Sequence, residues 1–524
     1  MPVRTRKPND VTQQSVPLLL LAVGLVTTNK SVTFVDDEAA VLSAAADPLR
    51  TFLSHYFSAG QHDPGPLYTI VMHLWLISTG ANFDYLRIPS ILFYMGGLFL
   101  LARVHRYLSA TSGGAAVIWL GVLWPFGFHF VRLAAGYSFS FFLVAGITLA
   151  YFKYLEEQSV GRGAVLFLFS AALLWTNYLG WTVIACLAVD QILRVRAKEP
   201  VLNSKGLVAI AALLCVSFVP LFAFFRAQIS DALGQHRGTL QILVSGAFHV
   251  FSLFASESLA PWYWWLSIPA AVAGVACIVF AVWWLPNSAR KFLYFSAAIL
   301  AVLALAGILK TSDLLMVAPW ILLPVGAAIE AVKPRWATMA LAAALLIVAG
   351  AGWYGVYARR YYAAPRFIEP WQEIAADASS RVLNGTTVIS DRPSFELYLT
   401  YFLRMPAQNG PWQFKGTLPD QVKQPLVFSP EGWLAEGRSP SGKVMLVRRG
   451  ETETPGNAPV DRVAQHLDST CGSISSRLRM RDDGYKWKQR FFPEQHEPQW
   501  RIEIREYDCD ASNSKQIYRI PPQQ

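Results

Sequence analysis

The stretch "PLYTIVMHLWLISTG" (Pro66–Gly80) decides how the chain is arranged, because its reading sets the side on which every later segment lies. Its roughly 14 residues fall short of the roughly 20 apolar residues that cross a hydrocarbon core. Leu67, Ile70, Val71 and Leu74 recur at helical spacing, while Tyr68, Thr69, Met72 and His73 share the other side. That pattern predicts an amphipathic helix lying on a membrane surface. Counted as a span, the stretch would carry Arg103 and Arg106 to the opposite side and invert every later connection.

Outward from this stretch, up to about Tyr357, the chain is a series of long apolar runs; from Tyr361 onward it reads like ordinary soluble protein. Of 524 residues, 53% are hydrophobic and 15% charged, against about a quarter charged in a soluble domain. Trp and Tyr gather at the ends of apolar runs (Trp124, Trp262 to Trp265, Trp283, Trp284, Trp353, Tyr354), where amphipathic rings sit in a bilayer. The net charge of +10 comes largely from Lys and Arg flanking those runs. No basic stretch stands clear of them, so the charge is a topology signal and no nucleic-acid partner is expected.

Segments that qualify as spans, or nearly do, lie at roughly 16–35, 87–108, 113–131, 136–155, 162–179, 181–193, 206–225, 261–285, 292–309, 314–332 and 336–357, about eleven in all. The sixth is short unless Asp190 sits at the interface. With the N-terminus inside, the inner connections hold Arg4, Arg6, Lys7, Arg103, Arg106, Lys153, Arg162, Arg194, Arg196, Lys198, Lys205, Arg290, Lys291, Lys333 and Arg335. The outer ones hold only Lys30, Arg50, Arg87, Arg132, Arg226, Arg237 and Lys310. This bias predicts a cytoplasmic N-terminus and leaves everything beyond the last span outside. The basic start, "MPVRTRKPNDVTQQ", reads as part of a retained signal anchor, since no small-residue cleavage site follows its apolar run. The expected division is an all-α polytopic membrane domain over 1–357, with a large first outer loop at about 36–86, and an extracytoplasmic α/β domain over 358–524.

Within that second domain, "TTVIS", "PLVFS" and "KVMLVRR" read as strands and "PSFELYLTYFL" as a helix, while "WRIEIRE" alternates like a half-buried strand. Cys186, Cys215 and Cys277 fall in spans and read as packing residues. Cys471 and Cys509 fall in a compartment that permits disulfides, where a bridge would contribute about 4 kcal/mol on the chain-entropy estimate.

Ionisable groups are costly at membrane depth, so those at the outer ends of spans are the first candidates for chemistry. The densest cluster is "FVDDEAAVLSAAADPL", in which Asp36, Asp37 and Glu38 follow the first span directly. "GQHDPGPLY", with His62 and Asp63, and Arg87 come next. The three carboxylates can equally be helix-capping residues, since acids favour helix N-termini, and both readings stand on spacing alone.

A "DE" pair after the first span, followed by "H-x-P-x-P-L-Y" leading into an amphipathic helix, resembles the GT-C membrane glycosyltransferases. The branch it resembles uses polyprenyl-phosphate sugars and includes the protein O-mannosyltransferases and the lipid A aminoarabinose transferase. "LLWTNYLGW" (Leu173–Trp181), "PWILLPVGAAIEA" and "PWQEIAADASSRVLNGTTVISDRPSFELYLTYFL" are similar to later parts of the same family. The resemblance implies an inverting transferase of the bacterial inner membrane. It would move a hexosyl or pentosyl group from a polyprenyl phosphate to a lipid, glycan or protein acceptor outside the cytoplasm. It also implies that a first-loop Asp is the general base, by position Asp37, with Asp36 the fallback. A positioned carboxylate can take the acceptor's proton; the lipid phosphate leaves without a general acid but needs cations to hold its charge. Candidates for that role are Arg87, Arg132, His236 with Arg237 in "GQHRG", and Lys310, with His62 resembling the family's first-loop His. No cofactor is expected. A divalent metal between His62, Asp63, Glu38 and His236 has no recognised ligand spacing behind it.

Two segments depart from the family pattern. "VRLAAGYSF" has Leu133 and Ala135 where an acid and an Arg are usual, and "TSDLLMVAP" has Asp313 in place of an Arg. Two other function classes therefore stay in view. A flippase would place charges near the midplane and often shows inverted repeats, neither of which is present in the sequence. An inactive family member would act in envelope assembly through its soluble domain.

Overall fold

The computed structural model describes residues 9–27, 34–46, 48–58, 65–79, 85–108, 114–226, 239–285, 287–332, 335–358, 370–392, 395, 398–399, 402–403, 427–436, 441–449, 459–480 and 501–510. They form two compact units, one from 1–32 and 48–364, the other from 33–47 and 365–524.

The first unit is helical, and each expected span coincides with one helix or a pair. Among the described residues, five helices are long and apolar enough to cross a membrane: Ile88–Leu108, Tyr137–Glu156, Ser204–Arg226, Trp264–Trp284 and Trp336–Ala358. A pair bent by 56°, Thr311–Val317 with Pro319–Ala331, makes a sixth. Shorter apolar helices, among them Ser15–Thr27 and Val160–Thr176, account for further expected spans. Proline breaks two of the apolar runs. In the 113–131 run Pro125 forces Trp124 into an extended conformation (φ −76°, ψ 111°), splitting the run into Ala115–Leu123 and Pro125–Val131. Pro319, which lacks an N–H, sits at the second break.

Pro66–Thr79 is a helix, as expected, with an orientation worth noting. Tyr68, Thr69, Met72 and Leu76 are buried, whereas Leu74 is 59% and Ile77 69% exposed. The side bearing Tyr68, Thr69 and Met72 packs on protein, and apolar side chains face away, as suits a helix bounded by lipid.

Ion pairs gather one end of this unit. His105 Nε2 lies 2.8 Å from Glu330, and Tyr107 donates to Glu156 at 3.1 Å. Arg162 pairs with Glu157 at 2.7 Å. Asp190, only 2% exposed, accepts from Tyr151 (2.5 Å), Arg194 (2.7 Å) and Lys291 (2.7 Å). Of the basic residues assigned to the inside on charge alone, Arg162, Arg194 and Lys291 therefore share one end, while Arg87, Arg132 and Lys310 occupy the other.

Thr239–Ala255 is a further helix beyond the expected spans. His249 reaches Thr311, Trp124 donates to the Leu253 carbonyl at 2.6 Å, and just beyond the helix Ser258 donates to the Gly352 carbonyl at 3.1 Å. Thr311 and Gly352 lie near the ends of their segments remote from the ion-paired end. His249, Leu253 and Ser258 thus meet segments at the end remote from the ion pairs.

The second unit holds a sheet of β1 (Thr387–Ser390), β2 (Val427–Phe428), β3 (Lys443–Arg449), β4 (Gly472–Met480) and β5 (Arg501–Asp508), in the order β2-β1-β3-β5-β4. β1 is parallel to both neighbours, and β5 antiparallel to both of its own. Ile389, Leu446 and Tyr507 pack with Val463 and Leu467 of the Pro459–Thr470 helix to form its core. Cys471 and Cys509 form the expected disulfide. On β5 burial pushes the Glu503 carboxyl up, but Arg505 and Arg448, each 2.6 Å away, outweigh that and hold it below the usual carboxylate range. The same unit takes in 33–47: the Phe34 N–H donates to the Tyr398 hydroxyl at 3.1 Å, and the two rings meet edge to face.

Candidate functional site

Asp36, Asp37 and Glu38 open the Asp36–Ala46 helix of the second unit. Glu38 is fully buried, and its carboxylate accepts the Val35 N–H at 3.2 Å, as an acid in the first turn reaching back to the cap does. Its carboxylate is therefore committed to the helix start. Asp37, one residue earlier, is exposed. The side chain of Asp36 lies outside the described residues, as do His62, Asp63, His236 and Arg237.

In the first unit, hydroxyls and tight backbone packing join segments that are distant in sequence. Tyr68 and Ser90 share a 2.8 Å hydrogen bond, and Ser90 donates to the Leu133 carbonyl at 2.8 Å. Arg87 precedes Ser90 by one turn and Arg132 precedes Leu133 directly, so this chain fixes the backbone beside both arginines. Arg87 is 1% exposed and Arg132 fully buried, its guanidinium 4.8 Å from the centre of the Phe128 ring. Two buried guanidinium groups at one end of a helical bundle are a costly arrangement.

The "LLWTNYLGW" turn comes to the same end. A Cβ on Gly65 would stand 2.1 Å from the Trp175 carbonyl oxygen, so only glycine allows the first loop to run against this turn. The Tyr56 and Tyr178 hydroxyls are hydrogen-bonded, and the Tyr56 ring lies 5.0 Å from that of Phe224. Lys310 is exposed, and its backbone N–H donates to Asp313 at 3.1 Å. Asp313 thus caps the Thr311–Asp313 turn, which accounts for an acid where the resemblance called for Arg.

Arg87, Arg132 and Lys310 thus share one end of the unit. Tyr68, Ser90, His249 and Thr311 join them there without a sequence signal of their own; isolated hydroxyls and a lone His do not reveal their partners. Among the described residues no group of three or more His, Cys, Asp or Glu is placed to hold a metal ion.

No protein-family model and no curated protein matches the chain. Solved structures do. ArnT from Cupriavidus metallidurans bound to undecaprenyl phosphate is 12% identical, over 94% of this chain and 97% of that one, with a TM-score of 0.54. ArnT from the same organism in the apo state gives 13%, 94%, 98% and 0.51. At such identity the likeness establishes the fold, which is the GT-C fold implied by the first-loop motif.

Proposed function

We propose that this protein is an inverting membrane glycosyltransferase that moves one sugar from a polyprenyl phosphate to an acceptor outside the cytoplasm. The observation that carries this is the shared fold over almost the whole chain with a structure bound to undecaprenyl phosphate. Two buried arginines and an exposed lysine at one end of the helical unit agree with it. On the charge alternation that end faces outward from a bacterial inner membrane, with the N-terminus cytoplasmic and the sheet-containing unit outside.

In this reading the Asp37 carboxylate takes the proton of the acceptor hydroxyl as its oxygen attacks the anomeric carbon. The bond from that carbon to the phosphate oxygen breaks with its electron pair on the phosphate. Arg87, Arg132 and Lys310, joined by His62, His236 and Arg237 of the loops, hold the charge that develops there. One displacement inverts the anomeric centre once. Asp36 stands in reserve as base, and Glu38, committed to its helix, drops out of that role.

The test is incubation of membranes with labelled polyprenyl-phosphate sugars. Asp37→Asn is expected to lower incorporation into acceptor by at least about 100-fold, the scale of a lost general base, with Asp36→Asn much milder. Undiminished incorporation in both variants would rule the mechanism out.

A further inference from the structure

The Thr239–Ala255 helix carries a histidine that the mechanism above leaves unused. His249 is 8% exposed. Its Nδ1 lies 3.1 Å from Thr311 Oγ1 and its Nε2 3.2 Å from Ser245 Oγ, one turn earlier on its own helix. Gly246 and Gly307 leave a small opening beside the ring. Gly307 takes a left-handed conformation (φ 70°), which ends the Asn287–Leu305 helix and turns the chain toward Lys310. Thr311, directly after Lys310, is buried, while the Lys310 ammonium-bearing side chain is exposed. The turn is thus held twice, by His249 at Thr311 and by the Lys310 N–H at Asp313.

We propose that His249 is a positioning residue for the phosphate of the lipid-linked donor, acting through Thr311, with Lys310 the contacting charge. This rests on the functional reading above and deepens it. A neutral imidazole has one donor and one acceptor nitrogen. When Ser245 donates to Nε2, Nδ1 carries the proton and donates to Thr311 Oγ1. The Thr311 hydroxyl then keeps its own proton for an arriving phosphate oxygen, next to the Lys310 ammonium. In the other tautomer Thr311 gives that proton to the ring and has none for the phosphate. A donor oriented in advance holds an oxyanion better than one that must reorganise. The arrangement also explains how a turn bearing Asp313 can face an anion: its carboxylate is spent on the Lys310 backbone.

The experiment uses the purified full-length chain in detergent and titrates undecaprenyl phosphate, and separately undecaprenol, by tryptophan fluorescence, alongside donor KM and kcat. His249→Ala and Thr311→Val are each expected to weaken undecaprenyl phosphate binding and raise donor KM about tenfold, the loss of one hydrogen bond to a charged group. The double variant falls no further than either single one, since both remove the same path. His249→Asn, whose amide nitrogen can occupy the place of Nδ1, recovers most of the affinity. Undecaprenol, which lacks the phosphate, binds all variants alike. Unchanged undecaprenyl phosphate affinity in His249→Ala and Thr311→Val overturns the proposal, as does an equal loss for undecaprenol, which would report general damage to the fold. Failure of the wild type to bind undecaprenyl phosphate overturns the functional reading and this proposal together.

Discussion

Three consecutive acids, Asp36, Asp37 and Glu38, show how neighbours in sequence divide their work. Their spacing permits both capping and catalysis, and Glu38 makes the capping contact, its buried carboxylate taking the Val35 N–H. Asp37 is on the exposed side of the same first turn, which sequence spacing alone could not specify. Arg87 and Arg132 stand out in the sequence as charges at the ends of apolar runs, and both are buried. The Tyr68–Ser90–Leu133 chain was not legible, because a hydroxyl pair 22 residues apart exists only once the helices pack. Asp190 was legible as an anomaly, an acid in a short apolar segment, and Tyr151, Arg194 and Lys291 explain it. Removing one partner of a buried ion pair costs about 3–5 kcal/mol. Here Lys291 and Arg194 retain 20% and 12% exposure, so Asp190→Asn is expected to cost about 2–3 kcal/mol after that screening. Thermal unfolding in detergent measures it; an unchanged midpoint would show that the cluster contributes nothing to stability.

At the scale of elements, short helices carry the topology. Pro66–Thr79 and Thr239–Ala255 are both apolar, and both are too short to pass as full spans. Were either to cross, every later connection would change sides. The first was legible from its length and two-sided pattern. The second was not separated from its surroundings by periodicity, and its placement depends on contacts to Thr311, Trp124 and Gly352 far away in the chain. Strand β4, "GSISSRLRM", was missed because Ser and Arg dominate an edge strand whose partner, β5, supplies the ladder. The helix account makes a prediction at this scale. In sealed right-side-out vesicles, on a background lacking Cys186, Cys215 and Cys277, Thr239→Cys and Trp262→Cys are expected to react with a membrane-impermeant maleimide from the same, outer side. Labelling of one only after permeabilisation would mean that the intervening helix crosses.

For the whole molecule, the basic connections leave a mark in the ion pairing of the helical unit. The ion pairs of His105, Arg162, Arg194 and Lys291 lie together at one end. Where helices break was less legible, since prolines 125 and 319 interrupt apolar runs that composition reads as continuous. Recruitment of 33–47 into the sheet-containing unit was invisible, because it hangs on contacts such as Phe34 with Tyr398, 364 residues apart. The fold itself was announced by the first-loop motif and is shared with ArnT at 12% identity, so the activity rests on the site and has to be measured there. The most direct measurement follows both products of the purified chain supplied with a polyprenyl-phosphate sugar and acceptor. The account predicts one polyprenyl phosphate released for each sugar transferred, inversion at the anomeric carbon, and loss of both products in Asp37→Asn. Retention of the anomeric configuration, or lipid phosphate released equally by wild type and Asp37→Asn, would contradict it.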